Sequence, residues 1–132
     1  MQLEFQSLIK AACEVRLHAY APYSRFPVGA ALLGADGEVV TGCNVENLSY
    51  GLTLCAERSA IVAAVARGIR VFRGIAVCAD TRQPISPCGA CRQVLAEFGD
   101  FPVFLSTVAG QIVETSVGAL LPRAKTGILD HE

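Results

Sequence analysis

Apolar side chains recur at Phe5, Leu8, Ile9, Ala12, Val15 and Ala19, the spacing of one buried face on a helix over residues 4–19. The pattern then breaks. Tyr20 to Pro27 carries two prolines and three aromatic residues, and reads as a loop with hydrophobic anchors. Two strands are predicted next, Gly29–Leu33 and Val39–Val45, joined through Ala35-Asp36-Gly37, where Asp-Gly is a strong hairpin signal. Residues 48–54 lead into an alanine-rich helix running from about Cys55 to Ala66 and stopped by Gly68. Val71–Ala79 is apolar almost throughout, as in a strand covered on both faces. A polar connection, Thr81–Pro87, precedes a helix over about Gly89–Phe98. Strands at Val103–Ser106 and Gln111–Glu114, a helical turn at Val117–Leu121 and a polar tail complete the chain. Helices and strands interleave, but two strand pairs are hairpins, which predicts an α/β fold with a mixed sheet.

With 132 residues the chain suits one domain and a single core, taken here as residues 1–132. Hydrophobic residues make up 52% and charged residues 17%, which suggests a compact body with surface to spare for partner subunits. The net charge is −1 and the basic residues are scattered, so no electrostatic footprint for nucleic acid is visible. No apolar run is long enough to span a membrane, and Met1–Gln6 lacks the character of an export signal. A cytoplasmic protein is expected, and its six cysteines are read as thiols rather than disulfides. Cys13, His18 and Cys78 are read as ordinary packing or surface residues.

Chemistry concentrates between Cys55 and Cys91. Cys55-Ala56-Glu57-Arg58 and Pro87-Cys88-Gly89-Ala90-Cys91-Arg92 supply three thiols with metal-ligand spacing. Three protein ligands would leave the fourth position of a tetrahedral zinc open, whereas a structural site normally closes with four. Glu57 follows Cys55 on the first turn of the predicted helix, where a carboxylate can serve as general acid and base without ligating the metal. Both cysteine segments open helices, and helix N-termini favour thiolates. Asn44 and Glu46 alternate onto one face at the end of a strand, an amide and a carboxylate able to hold a sugar hydroxyl from two sides.

The pattern Cys-x-Glu…Pro-Cys-x-x-Cys resembles the zinc nucleobase deaminase signature. Tyr23-Ser24-Arg25-Phe26-Pro27-Val28-Gly29-Ala30-Ala31, Thr41-Gly42-Cys43-Asn44-Val45-Glu46-Asn47, Ser86 to Gln93 and Leu120-Leu121-Pro122 extend the likeness over nearly the whole chain, to the small, homotetrameric, all-cysteine cytidine deaminases. The resemblance implies a three-layer α/β/α sandwich with a mixed five-stranded sheet. It implies one zinc per chain on Cys55, Cys88 and Cys91, with Glu57 as the catalytic proton carrier. It assigns Phe26 to stacking on the base, Asn44 and Glu46 to the ribose, and Ala56 and Tyr50 to the substrate site. Cytidine and deoxycytidine would be converted to uridine and deoxyuridine in pyrimidine salvage, a zinc-bound hydroxide attacking C4 and ammonia leaving. Where the family usually places an aromatic reaching into a neighbouring subunit's site, this chain has Lys125.

Three other readings are weighed against this one. A polynucleotide-editing or RNA-binding module is disfavoured by the weak basic charge, and a non-catalytic zinc protein by Glu57. A deaminase of another cytosine nucleoside, such as a nucleoside antibiotic, is disfavoured by the Asn44 and Glu46 pair. One electrostatic problem remains, because three thiolates around Zn²⁺ leave −3 + 2 = −1 and a poorer Lewis acid. Arg58 and Arg92 each directly follow a motif residue and are expected to donate hydrogen bonds to the ligand sulfurs.

Overall fold

The computed structural model describes residues 1–124, so Lys125 lies outside the described residues. β1 (Val28–Gly34) and β2 (Val39–Cys43) form the expected antiparallel hairpin, and its turn uses Gly37 at φ 89°. β3 (Phe72–Ala79) pairs antiparallel with the other edge of β1. β4 (Pro102–Thr107) runs parallel to β3, a step that requires a crossover, and α3 (Gly89–Glu97) supplies it. β5 (Ile112–Ser116) closes the sheet antiparallel to β4. The order is β2-β1-β3-β4-β5, a mixed five-stranded sheet as predicted.

Side-chain alternation sorts the core into two faces. α1 (Leu3–Val15) lays Leu8, Ile9 and Ala12 on Ala31 and Leu33 of β1, Ala76 and Cys78 of β3, and Phe104 of β4. The opposite face carries Leu32, Ile75, Val77, Val103 and Leu105, covered by Ala60, Ile61 and Ala64 of α2 (Ala56–Ala66) and by Leu95 of α3. α4 (Val117–Leu120) adds Val117 to that layer. The result is three layers, helix on sheet on helix. β3 sits in the middle and is buried on both faces from Gly74 to Ala79, which accounts for its unbroken apolar run.

Two close approaches set how the helices sit. A Cβ on Gly29 would lie 2.0 Å from Ala12 O of α1, and one on Gly42 would lie 2.3 Å from Ala60 N of α2. Any side chain at Gly42 would therefore push α2, and with it the Cys55 and Glu57 end, away from the sheet.

One expectation is corrected here. Cys13 and Cys78 are not separate thiols but a disulfide, with Cα atoms 5.2 Å apart. Reading cysteines by compartment says nothing of which of them the fold brings together. α1 lies across β1 and β3, which brings Cys13 over Cys78 at a separation suited to a bridge. The helix predicted over 4–19 also ends early, at Val15, followed by a 3-10 turn at Arg16–His18. Among the described residues no helix is long and apolar enough to cross a membrane.

Candidate active site

Register brings three chain segments to one end of the sheet. Val28 pairs with Ala79 and Gly29 with Cys43, so the start of β1 lies beside the ends of β2 and β3. The loop before Val28, the chain leaving β2 and the chain leaving β3 all gather there. Each of the two exits runs into a helix N-terminus. Cys55 is the N-cap of α2 and Cys88 the N-cap of α3, where its sulfur accepts from Cys91 N at 3.5 Å. Cys91, one turn into α3, completes the triad.

The three sulfurs lie within 4.8 Å of one another, with Cys55 to Cys88 at 3.9 Å and Cys88 to Cys91 at 3.4 Å. Tetrahedral zinc with Zn–S near 2.3 Å would separate its sulfurs by roughly 3.8 Å, so the donor set fits that ion with small adjustment. Without a cation the sulfurs share charge unevenly. The Cys55 thiol is drawn down to about 5, chiefly by hydrogen bonding with Cys91 and further by Arg58 and Cys88, against the effect of burial. The Cys91 thiol is pushed up by that same contact with Cys55 and by burial. Of these two thiols, Cys55 is therefore the one that more readily carries negative charge.

Glu57 stands in the first turn of α2 and is 5% exposed. Burial pushes its carboxyl up to about 7, and the negative Cys55 sulfur adds to the rise. A buried carboxyl titrating near neutrality can both take and give a proton. Arg58 Nη2 donates to Cys55 Sγ at 3.3 Å, the geometry expected of it. Arg92 departs from expectation. Its Nε donates to Pro87 O at 2.8 Å and its Nη1 to Leu120 O at 2.9 Å, so it braces α3 against α4 instead of meeting the sulfurs. Two backbone carbonyls within reach of a planar fork explain that choice.

A cavity of about 260 Å³ opens over Glu57 and the sulfurs of Cys55 and Cys88. Phe26, Asn44, Glu46 and Ala56 are among the residues that line it. β2 stops at Cys43, short of the predicted end, but residue 45 bridges to both Tyr20 and Leu54. That keeps the chain extended, so Asn44 and Glu46 still face the same space. Tyr50 is not part of this lining. It stands in a neighbouring recess with Tyr23, and the two spaces share Ser24, Glu46 and Thr53. Ser24, Thr53, Ile85 and Ser86 line the main cavity without having been singled out from sequence. Ser24 and Ser86 stood inside motifs that carry the resemblance, whereas Thr53 and Ile85 carried no signal beyond their neighbours.

Two polar side chains fasten the Phe26 loop. Asn44 Oδ1 accepts from Val28 N at 2.8 Å, and its Nδ2 donates to Phe26 O at 2.9 Å. The Glu46 carboxylate accepts from Tyr23 N at 2.9 Å, from Ser24 N at 3.1 Å and from the Ser24 hydroxyl. The Ser24 hydroxyl, followed by the two backbone amides, holds the Glu46 carboxyl below its usual range.

Residues 3–107 match the cytidine and deoxycytidylate deaminase zinc-binding region. A cytidine deaminase of Halalkalibacterium halodurans is 54% identical over 126 residues, covering 94% of this chain and 96% of its own. The crystal structure of cytidine deaminase from Burkholderia pseudomallei superposes with a TM-score of 0.89 at 52% identity, covering 95% of this chain and 100% of its own. Blasticidin-S deaminase of Bacillus cereus is similar at 30% over 106 residues, 72% of this chain and 74% of its own.

Proposed function

We infer the activity from one premise: the chain belongs to the zinc-binding cytidine and deoxycytidylate deaminase family. We propose that it hydrolyses the exocyclic amine of cytidine and deoxycytidine, releasing uridine or deoxyuridine and ammonia. The observation that carries this reading is the buried Glu57 carboxyl beside three sulfurs, at the floor of a cavity whose walls are Phe26, Asn44 and Glu46.

Cys55, Cys88 and Cys91 would hold one zinc per chain. When bound, zinc supplies a Lewis acid that makes a water a nucleophile near neutral pH. Glu57 then moves protons. Its carboxylate accepts one from the attacking water, delivers it to the ring nitrogen N3, and carries another to the departing amine. Burial supports this role, because it disfavours the charged form and so makes the carboxylate a stronger base. Ala56, 1% exposed, gives the cavity a small apolar patch of lining. Phe26 would stack on the pyrimidine, a contact worth about 1–3 kcal/mol.

The sugar is read by what Asn44 and Glu46 have left. Asn44 retains one amide hydrogen and Glu46 one lone pair on Oε2 after their bonds to the loop. Together these match one hydroxyl that accepts and donates. A 3′-phosphate would meet the Glu46 charge. Free nucleosides are therefore favoured over nucleic acid.

Assembly into a homotetramer, which the resemblance implies, would give cover to apolar side chains left on the surface, among them Leu48 at 79%, Tyr50 at 74% and Leu52 at 71% exposure. Tyr50 would serve the substrate from such an assembly rather than from the cavity wall. The deciding experiment incubates purified protein with cytidine and, in parallel, with a cytosine-containing single-stranded oligonucleotide. Uridine and ammonia from cytidine alone are expected. No ammonia from cytidine, or equal rates on the oligonucleotide, would overturn the reading.

A further inference from the structure

We propose that Ser24 is a positioning residue that couples the sugar-gripping Glu46 to the base-stacking Phe26. The proposal rests on the deaminase reading above.

Phe26 is held at both of its backbone polar groups, directly by Asn44 and, through Ser24, by Glu46. Its carbonyl accepts directly from Asn44 Nδ2 at 2.9 Å. Its N–H donates to Ser24 Oγ at 3.1 Å, and the Ser24 hydroxyl in turn donates to Glu46. The direction of that chain is fixed by chemistry. An amide nitrogen can only donate, and an ionised carboxylate can only accept. Ser24 must therefore give its single proton to Glu46 and take the Phe26 N–H on its oxygen. Donation to a charged acceptor makes that oxygen the better acceptor for the next bond.

The backbone between the two is bent to serve this. Arg25 sits at φ 58°, in the left-handed region that a non-glycine residue rarely occupies, and its N–H bonds Ala21 O at 2.9 Å. That bend returns the Phe26 N–H to Ser24, two residues back. A strained residue persists only where its surroundings over-determine it. Here the fastening is Glu46, which binds Tyr23 N, Ser24 N and Ser24 Oγ together. The ring wall and the sugar wall are therefore one hydrogen-bonded unit, with Ser24 as its only side-chain joint on the Glu46 side among the described residues.

The test is a double-variant cycle on cytidine: Ser24→Ala, Phe26→Ala and the pair, with Ser24→Thr as the conservative variant and zinc content checked for each. Ser24→Ala is expected to lower kcat/KM about tenfold, mainly through KM, as loss of a hydrogen bond to a charged group would do. In the Phe26→Ala background the same change should cost no more than about twofold, and Ser24→Thr should stay within about threefold of wild type. A Ser24→Ala enzyme indistinguishable from wild type would overturn the proposal. So would losses that simply multiply in the double variant, the signature of a loop serine acting independently of the ring. A wild type inert toward cytidine would instead overturn the proposed function, and this inference with it.

Discussion

Arg58 donates from Nη2 to Cys55 Sγ at 3.3 Å, from a position one helical turn along the helix that Cys55 caps. The contact draws charge from a triad that would otherwise leave a zinc ion with a net −1 shell. Arg58→Gln is expected to keep its zinc, lose about tenfold in turnover at pH 7, and shift its activity profile to higher pH. Arg92→Gln should leave the profile in place and lower thermal stability, because its guanidinium holds Pro87 O and Leu120 O. Turnover against pH for both variants separates the two roles. An unshifted profile for Arg58→Gln would show that the helix N-termini suffice.

Glu57→Gln should retain one zinc per chain and lose turnover by at least ~10²–10⁴-fold, the usual worth of a positioned proton carrier. The amide preserves shape and hydrogen bonding in a site only 5% exposed, so the fold should survive. Metal analysis beside the deamination assay checks it. Wild-type-like activity in a zinc-loaded variant would sink the mechanism.

These two predictions differ in how far the sequence alone could carry them. Spacing made Cys88 and Cys91 a pair and put Glu57 beside Cys55, but joining Cys55 to that pair across 33 residues rested on the resemblance to the deaminase signature. The alternation at Asn44 and Glu46 survived even though β2 ended early. Arg58 stands three residues after Cys55, a spacing that makes helix neighbours of them. Arg92 has comparable spacing to Cys88, yet it turned to a carbonyl that α4 brings in from 28 residues along the chain. The Cys13–Cys78 bond joins residues 65 apart, and only the seating of α1 on Gly29 and β3 puts them together. Ser24 was hidden for a related reason. Its role lies in which partners its one proton and its oxygen find, and no periodicity encodes that.

The Cys13–Cys78 bridge should be a measurable part of the stability. Closing a loop of 65 residues reduces unfolded-state entropy by an amount worth about 4 kcal/mol in the chain-entropy picture. Cys13→Ser is expected to lower the urea midpoint and to abolish the sensitivity of that midpoint to reductant. Alkylation under denaturing, zinc-chelated conditions should label Cys43, Cys55, Cys88 and Cys91 in the wild type but spare Cys13 and Cys78. Labelling of all six would show that the two sulfurs meet in this fold without bonding.

The buried Glu57 also predicts how the metal-free protein responds to pH. Its carboxyl titrates at about 7 when folded, through burial first, against 4.5 for the ordinary group. Below pH 4.5 it is protonated in both states and costs nothing. As pH rises from there toward 7, the unfolded chain ionises while the folded one holds its proton, so stability falls across that window. Above it the loss is complete, at about 3 kcal/mol. Zinc-free Glu57→Gln cannot ionise there. Its advantage over zinc-free wild type should grow from near zero at pH 4 to about that figure at pH 8, read from urea midpoints after chelation. Zinc should shrink the difference by placing positive charge beside the carboxylate. An advantage that does not change between pH 4 and pH 8 would mean that Glu57 ionises as readily inside the fold as outside it. The floor of the cavity would then not be the water-poor place its 5% exposure indicates.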